Sequence, residues 1–113
     1  MDFVFIEDVA DANVKAMRSS ATDDVFNVAS GTETSLRQLC RLLCDAAGYP
    51  LAEPTFEAAR KVNPVTRRLA ATEHARKGIG FVAQTPLDEG LRALVRWHAS
   101  VGNPDRQLVG AAQ

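Results

Sequence analysis

Phe3-Val4-Phe5-Ile6 is a short, unbroken apolar run rich in β-forming residues, and it predicts a strand. The pattern then changes. Ala10, Val14 and Met17 recur at the helical period behind Glu7 and Asp8, whose charge favours a helix N-terminus, and the pattern fades at Ser19-Ser20. Val25 to Val28 predicts a second strand, polar only at Asn27 and closed by the turn signal Ser30-Gly31. The clearest helix begins at Ser35. Ser35 and Gln38 have capping-box spacing, Leu36, Leu39, Leu43 and Ala46 form one apolar face, and Gly48 is a good stop. Residues 49–60, with Pro50 and Pro54, read as an extended connection, and Val65 to Ala70 as a strand or extended segment. Thr72 is placed to cap a short helix that runs to Arg76 or Lys77 and ends at Gly78. Thr85-Pro86 opens the last helix as cap and first residue, and Leu87, Leu91, Leu94 and Val95 form its apolar stripe. Gly90 interrupts that stripe at a cost of about 1 kcal/mol relative to alanine, which points to something packed closely against the backbone. From Gly102 onward the chain loses periodicity and reads as a frayed tail.

The order is β-α-β-α, an extended connection, then β-α-α, so the fold class expected is α/β. Two short strands are too few for a parallel sheet, which needs neighbours on each side and cover on both faces. The pattern therefore implies that further elements belong upstream. At 113 residues the chain is at most one domain, able to bury roughly two-thirds of its unfolded surface. A net charge of −1 gives no general attraction to nucleic acid or to membranes. Glu7, Asp8 and Asp11 do not fit a signal peptide, and no apolar run approaches a membrane span. Cys40 and Cys44, one helical turn apart, read as reduced thiols of a cytoplasmic protein.

Candidate chemistry is sparse. The glycines at 31, 48, 78, 80, 90, 102 and 110 never take the close spacing that lets backbone approach a dinucleotide pyrophosphate, and Gly78-Ile79-Gly80 ends a helix rather than opening one. Arg60, Lys61, Arg67, Arg68, Arg76 and Lys77 make one stretch basic, but no aromatic residue lies within it to stack on a base, so no nucleic-acid partner is expected. Two thiols without further cysteines or nearby histidines make a poor metal site. His74 and His98 read as surface or capping residues and Trp97 as packing. No nucleophile–base pair and no paired acidic catalysts are present.

Taken in order, Asp2-Phe3-Val4-Phe5-Ile6-Glu7-Asp8-Val9-Ala10, Val25-Phe26-Asn27-Val28-Ala29-Ser30-Gly31, Arg60-Lys61-Val62-Asn63 and Leu87-Asp88-Glu89-Gly90-Leu91 resemble the C-terminal portion of a nucleotide-sugar epimerase or dehydratase of the extended short-chain dehydrogenase/reductase family. The resemblance covers about residues 2–99. It implies a C-terminal fragment of a Rossmann-type fold. Residues 1–48 would be edge elements of the cofactor domain, residues 49–101 mostly substrate-binding domain plus the last helix, and residues 102–113 a disordered tail. It also implies NAD as the cofactor and a nucleotide-sugar as the substrate of the parent enzyme. Arg60 and Asn63 would be the substrate-binding residues, because the family's arginine reaches the diphosphate and an acid three places on reaches a ribose hydroxyl. Arginine suits phosphate because its planar fork gives paired hydrogen bonds. Asn63 departs from the acid, Asn63-Pro64-Val65 stands where Gly-Asp-Val is common, and Met1 stands where a second diphosphate arginine is expected.

The family's Tyr-x-x-x-Lys pair is absent, since Tyr49, the sole tyrosine, is followed four places on by Glu53. No residue can therefore be assigned to catalysis, to cofactor binding or to a metal, and the chain alone is expected to hold no cofactor. Two readings stand. One is a piece of an NAD-dependent nucleotide-sugar enzyme. The other is a non-catalytic interaction module, or a degenerate fragment, that self-associates or pairs with a separate cofactor-binding half.

Overall fold

The computed structural model describes residues 1–51, 53–58 and 67–102. Its regular elements are four helices: α1 (Ile6–Arg18), α2 (Leu36–Ala46), α3 (Glu73–Ile79) and α4 (Leu87–Ser100). The strands of the expected α/β fold are not seen here: no strand forms among the described residues. Phe3 to Phe5, Val25 to Val28 and the described part of 65–70 run without ladder hydrogen bonds, and one isolated antiparallel bridge joins Asp2 to Glu33. A strand is defined by its neighbour, and these apolar runs have no neighbouring run in register beside them. Ile6, expected to end a strand, is the first residue of α1.

The helices follow their local signals closely. α1 carries Glu7 and Asp8 in its first turn and Lys15 and Arg18 in its last, complementing the helix dipole at both ends. α2 has both bonds of the capping box: Ser35 Oγ accepts from the Gln38 backbone N–H at 3.1 Å, and Gln38 Oε1 accepts from the Ser35 N–H at 2.9 Å. Gly48, at φ 81°, closes α2 in the left-handed conformation that glycine adopts without steric cost.

Two expected caps are not made. Neither the Thr72 nor the Thr85 side chain caps a helix, and α4 begins at Leu87, one residue later than the Thr85-Pro86 signal suggests. α3 runs past Gly78 and ends at Gly80, the residue with φ 69°. Gly78 serves packing instead, since a Cβ built there would lie 2.4 Å from Cε1 of Phe26. Gly90 does what its place in the stripe implied: the Phe5 ring sits 3.0 Å from where a Cβ would be.

The core is small. Ala12 of α1, Ala75 and Ile79 of α3, and Phe81 are buried together, with Phe26, Val28, Ala21 and Ala83 packed around them. α1 rests on α3 and α2 on α4, but no residue of α2 is buried. The apolar stripes of α2 and α4 remain partly in solvent: Leu36 is 58% exposed, Leu94 49% and Trp97 61%. Trp97 thus contributes far less packing than its place beside the stripe suggested. Among the described residues no helix is long and apolar enough to cross a membrane.

Candidate functional site

Arg60 and Asn63, the expected substrate-binding residues, lie outside the described residues. The stretch that follows them, from Arg67, is described. Asp2, next to the position where a second diphosphate arginine was expected, accepts four hydrogen bonds. Its Oδ1 takes the Ser30 N–H at 2.9 Å and the Ser30 hydroxyl at 2.6 Å. Its Oδ2 takes the Gly31 N–H at 3.0 Å and the Ala70 N–H at 3.5 Å. Partial burial pushes the Asp2 carboxyl up, but these donors outweigh it, led by the Ser30 hydroxyl, and hold it below the ordinary aspartate value.

A second tie joins the same two segments. The Arg67 guanidinium forks onto Glu33, with Nε 2.8 Å and 2.9 Å from the two carboxylate oxygens, and the pair depresses the Glu33 carboxyl. Met1 and Thr34 exchange backbone hydrogen bonds at 2.8 Å and 2.9 Å. Thus the start of the chain, the turn at 30–34 and the stretch 67–70 meet at one place. Sequence reasoning missed this meeting point, although the signal was present: an aspartate before an apolar run has a reason to be there only if something distant donates to it.

Beside this junction lies a polar cleft of about 310 Å³ lined by Ser30, Thr32, Thr34, Gln84 and Thr85, with Phe3 on its wall. Asp8 holds the loop that supplies Gln84 and Thr85 to this cleft. It is the one buried charged residue among those described, and it accepts the Gln84 N–H at 3.1 Å and the Thr85 N–H at 3.0 Å. The residue read from sequence as a helix-dipole acid therefore also fixes the loop leading into α4.

Elsewhere, His74 stacks on Phe26 with ring centroids 4.9 Å apart and meets the Asp24 carboxylate at 2.9 Å, which lowers the Asp24 carboxyl. Cys40 and Cys44 are free, half-buried thiols. No group of three or more histidine, cysteine, aspartate or glutamate side chains is placed to hold a metal ion among the described residues.

The described glycines serve packing and turns. Gly78 and Gly90 are covered by the rings of Phe26 and Phe5, while Gly48, Gly80 and Gly102 stand at or just beyond helix C-termini.

No protein-family model matches the chain. Individual relatives do. The UDP-glucose 4-epimerase of Mycolicibacterium smegmatis is 38% identical over 96 residues, which is 85% of this chain and 30% of that protein. The dTDP-L-rhamnose 4-epimerase of Burkholderia thailandensis is 31% identical over 99 residues, 87% of this chain and 27% of that protein. Among solved structures, the UDP-glucose 4-epimerase of Thermotoga maritima with UDP-glucose superposes with a TM-score of 0.81 at 31% identity, over 88% of this chain and 31% of that one. The Bordetella bronchiseptica enzyme WbmF, in complex with NAD+ and UDP, gives a TM-score of 0.73 at 31% identity, over 88% of this chain and 30% of that one. The chain belongs to the family of NAD-dependent nucleotide-sugar epimerases and dehydratases of the short-chain dehydrogenase/reductase type, and what it shares with them is their C-terminal portion. It spans about 30% of the length of the curated relatives it matches.

Proposed function

We propose that this chain is the substrate-side portion of an NAD-dependent enzyme that epimerises or dehydrates a nucleotide-sugar, with Arg60 and Asn63 reaching the diphosphate and ribose. The observation that carries this reading is the 38% identity to a UDP-glucose 4-epimerase over nearly the whole described chain. The junction at Asp2 supports it, because it anchors the stretch that begins four residues beyond Asn63. On this reading residues 1–48 lie at the edge of a cofactor domain and residues 49–101 make most of the substrate domain. NAD, when bound by the parent enzyme, supplies hydride transfer at the sugar. The residues that hold it come from elsewhere, and this chain alone neither binds it nor performs chemistry.

In the assembled enzyme, Arg60→Ala is expected to raise the KM or Kd for the sugar nucleotide about tenfold or more, since a hydrogen bond to a charged group contributes roughly 1.5–3 kcal/mol. An unchanged affinity would reduce Arg60 to a surface residue. The alternative, an interaction module without catalysis, draws on the apolar side chains left exposed on α2 and α4. The two readings separate on one measurement: the assembled enzyme turns over a UDP-sugar in the first and does not in the second.

A further inference from the structure

His74 takes no part in the Asp2 junction, yet its ring makes two contacts at once. Its Nε2 lies 2.9 Å and 3.0 Å from the two Asp24 carboxylate oxygens, and its plane stacks on Phe26 with centroids 4.9 Å apart at 23°. An ionised carboxylate only accepts, so Nε2 carries a proton in this arrangement. His74 and Gly78 stand one turn apart on α3, and the Phe26 ring spans both: a Cβ on Gly78 would lie 2.4 Å from it. Phe26 in turn packs against the core of Ala12, Ala75, Ile79 and Phe81. Asn27 adds a bond from Nδ2 to the Ala71 carbonyl at 3.3 Å. Asp23, at φ 53°, turns the chain into this segment in the left-handed conformation that aspartate adopts more readily than most residues. At the other end, Ser30 and Gly31 are held by Asp2.

We propose that Asp24, His74 and Phe26 form a proton-operated clasp, in which the imidazolium holds residues 24–27 on α3 and the neutral imidazole holds them less tightly. Both contacts respond to the one proton in the same direction. A positive ring attracts the Asp24 carboxylate and also the electron-rich face of Phe26. The neutral ring keeps a hydrogen bond through Nε2–H but loses both charge attractions. Histidine is the side chain whose charge changes between about pH 5 and 8. Around the ring, Glu73 of α3 is taken by Arg76 and Lys77. From α1, Asp11, Lys15 and Arg18 line a cleft beside Gly78, with Lys15 paired to Asp11, and Asp23 precedes the clasp. None of these is an imidazole. The hydrogen bond from His74 holds the Asp24 carboxyl below the ordinary aspartate value, so Asp24 is ionised near neutral pH. The clasp is therefore complete while His74 is protonated, and it weakens as pH rises through the imidazole range. The Asp2 end, a carboxylate among hydroxyl and amide donors, contains no group of that kind, so the change falls on residues 24–27.

The test uses the full chain and needs no variant at first. In NMR spectra recorded from about pH 5.5 to about pH 8, the cross-relaxation between the Phe26 ring and the Gly78 Hα should weaken with the same midpoint as the His74 Cε1–H shift. His98→Gln removes the other histidine and should leave that transition in place. A double-mutant cycle with Asp24→Asn, His74→Gln and the pair, measured by urea titration, then isolates the coupling. At about pH 5.5 the coupling should be about two- to fivefold in the folding equilibrium, the range of an exposed charge pair, and at about pH 8 less than half of that. A Phe26–Gly78 contact indifferent to pH would overturn the proposal. So would a transition that disappears in His98→Gln, a coupling absent at the lower pH, or one equal at both.

Discussion

Asp8→Ala should be the most damaging single substitution outside the small apolar core. Asp8 is 6% exposed and accepts the Gln84 and Thr85 N–H groups at 3.1 and 3.0 Å. Alanine leaves both donors without that partner, Gln84 on the exposed surface and Thr85 half-buried. An unsatisfied buried donor costs about 1–3 kcal/mol, and donors that water partly reaches fall at the low end, so the pair gives roughly 2–3 kcal/mol. Loss of an acidic residue from the first turn of α1 adds a further ~0.3–1 kcal/mol. Small domains are stable by only about 5–15 kcal/mol in total, and a core this small belongs at the low end. Asp8→Asn keeps one acceptor of the right shape and should cost about half as much. Urea titration followed by circular dichroism and linear extrapolation measures both variants. Amide exchange at Gln84 and Thr85 should accelerate selectively in the alanine variant. If both variants fall within about 0.5 kcal/mol of the parent chain, the two hydrogen bonds carry no weight and the argument from the buried Asp8 acceptor fails.

Gly78→Ala sets two effects against each other: a gain of about 1 kcal/mol in helix propensity and a Cβ 2.4 Å from the Phe26 ring. Phe26 cannot swing freely because His74 stacks on it, so an overpacking cost of roughly 1–3 kcal/mol should win. A lowered thermal midpoint, partly restored by Phe26→Leu, is expected, and a raised midpoint would show that the ring yields. The Asp2 carboxyl is depressed on folding, so its contribution is fully present above the unfolded aspartate value and is lost as pH falls below about 4. Asp2→Asn should therefore flatten the acid limb of the stability–pH curve, and an unchanged limb would remove Asp2 from that role.

What could be read from sequence was local. The capping box of α2, the acidic first turn of α1, the stop at Gly48 and the close approach at Gly90 are decided within a few residues of chain, and all four are present. The strands were not decidable in the same way. Phe3–Ile6 and Val25–Val28 have strand composition, but pairing is a property of two segments, and here each lacks the other's edge. The Gly78 stop failed for a related reason. A ring 52 residues earlier in the chain packs against Gly78, and α3 continues to Ile79 with Gly80 as its cap. Thr72 and Thr85 were assigned caps from spacing alone, but the donors near Thr85 were already claimed by Asp8. Of the site, Arg60 and Asn63 were named through resemblance and lie outside the described residues. The Asp2 junction that holds their neighbours was not visible, because its partners are 28 to 68 residues away.

The bonds from Asp8 to Gln84 and Thr85 span 76 and 77 residues. During synthesis α1 emerges well before the loop that leads into α4, and its buried carboxylate lacks these two donors until that loop has left the ribosome. Until then a charge destined for the interior must stay hydrated, which keeps the first helix loosely attached to everything after it. Closure of that long loop is costly in entropy and late in order. A nascent chain stalled before Gln84 would therefore present α1 with Asp8 still solvated, a helix more open to proteases than in the folded chain.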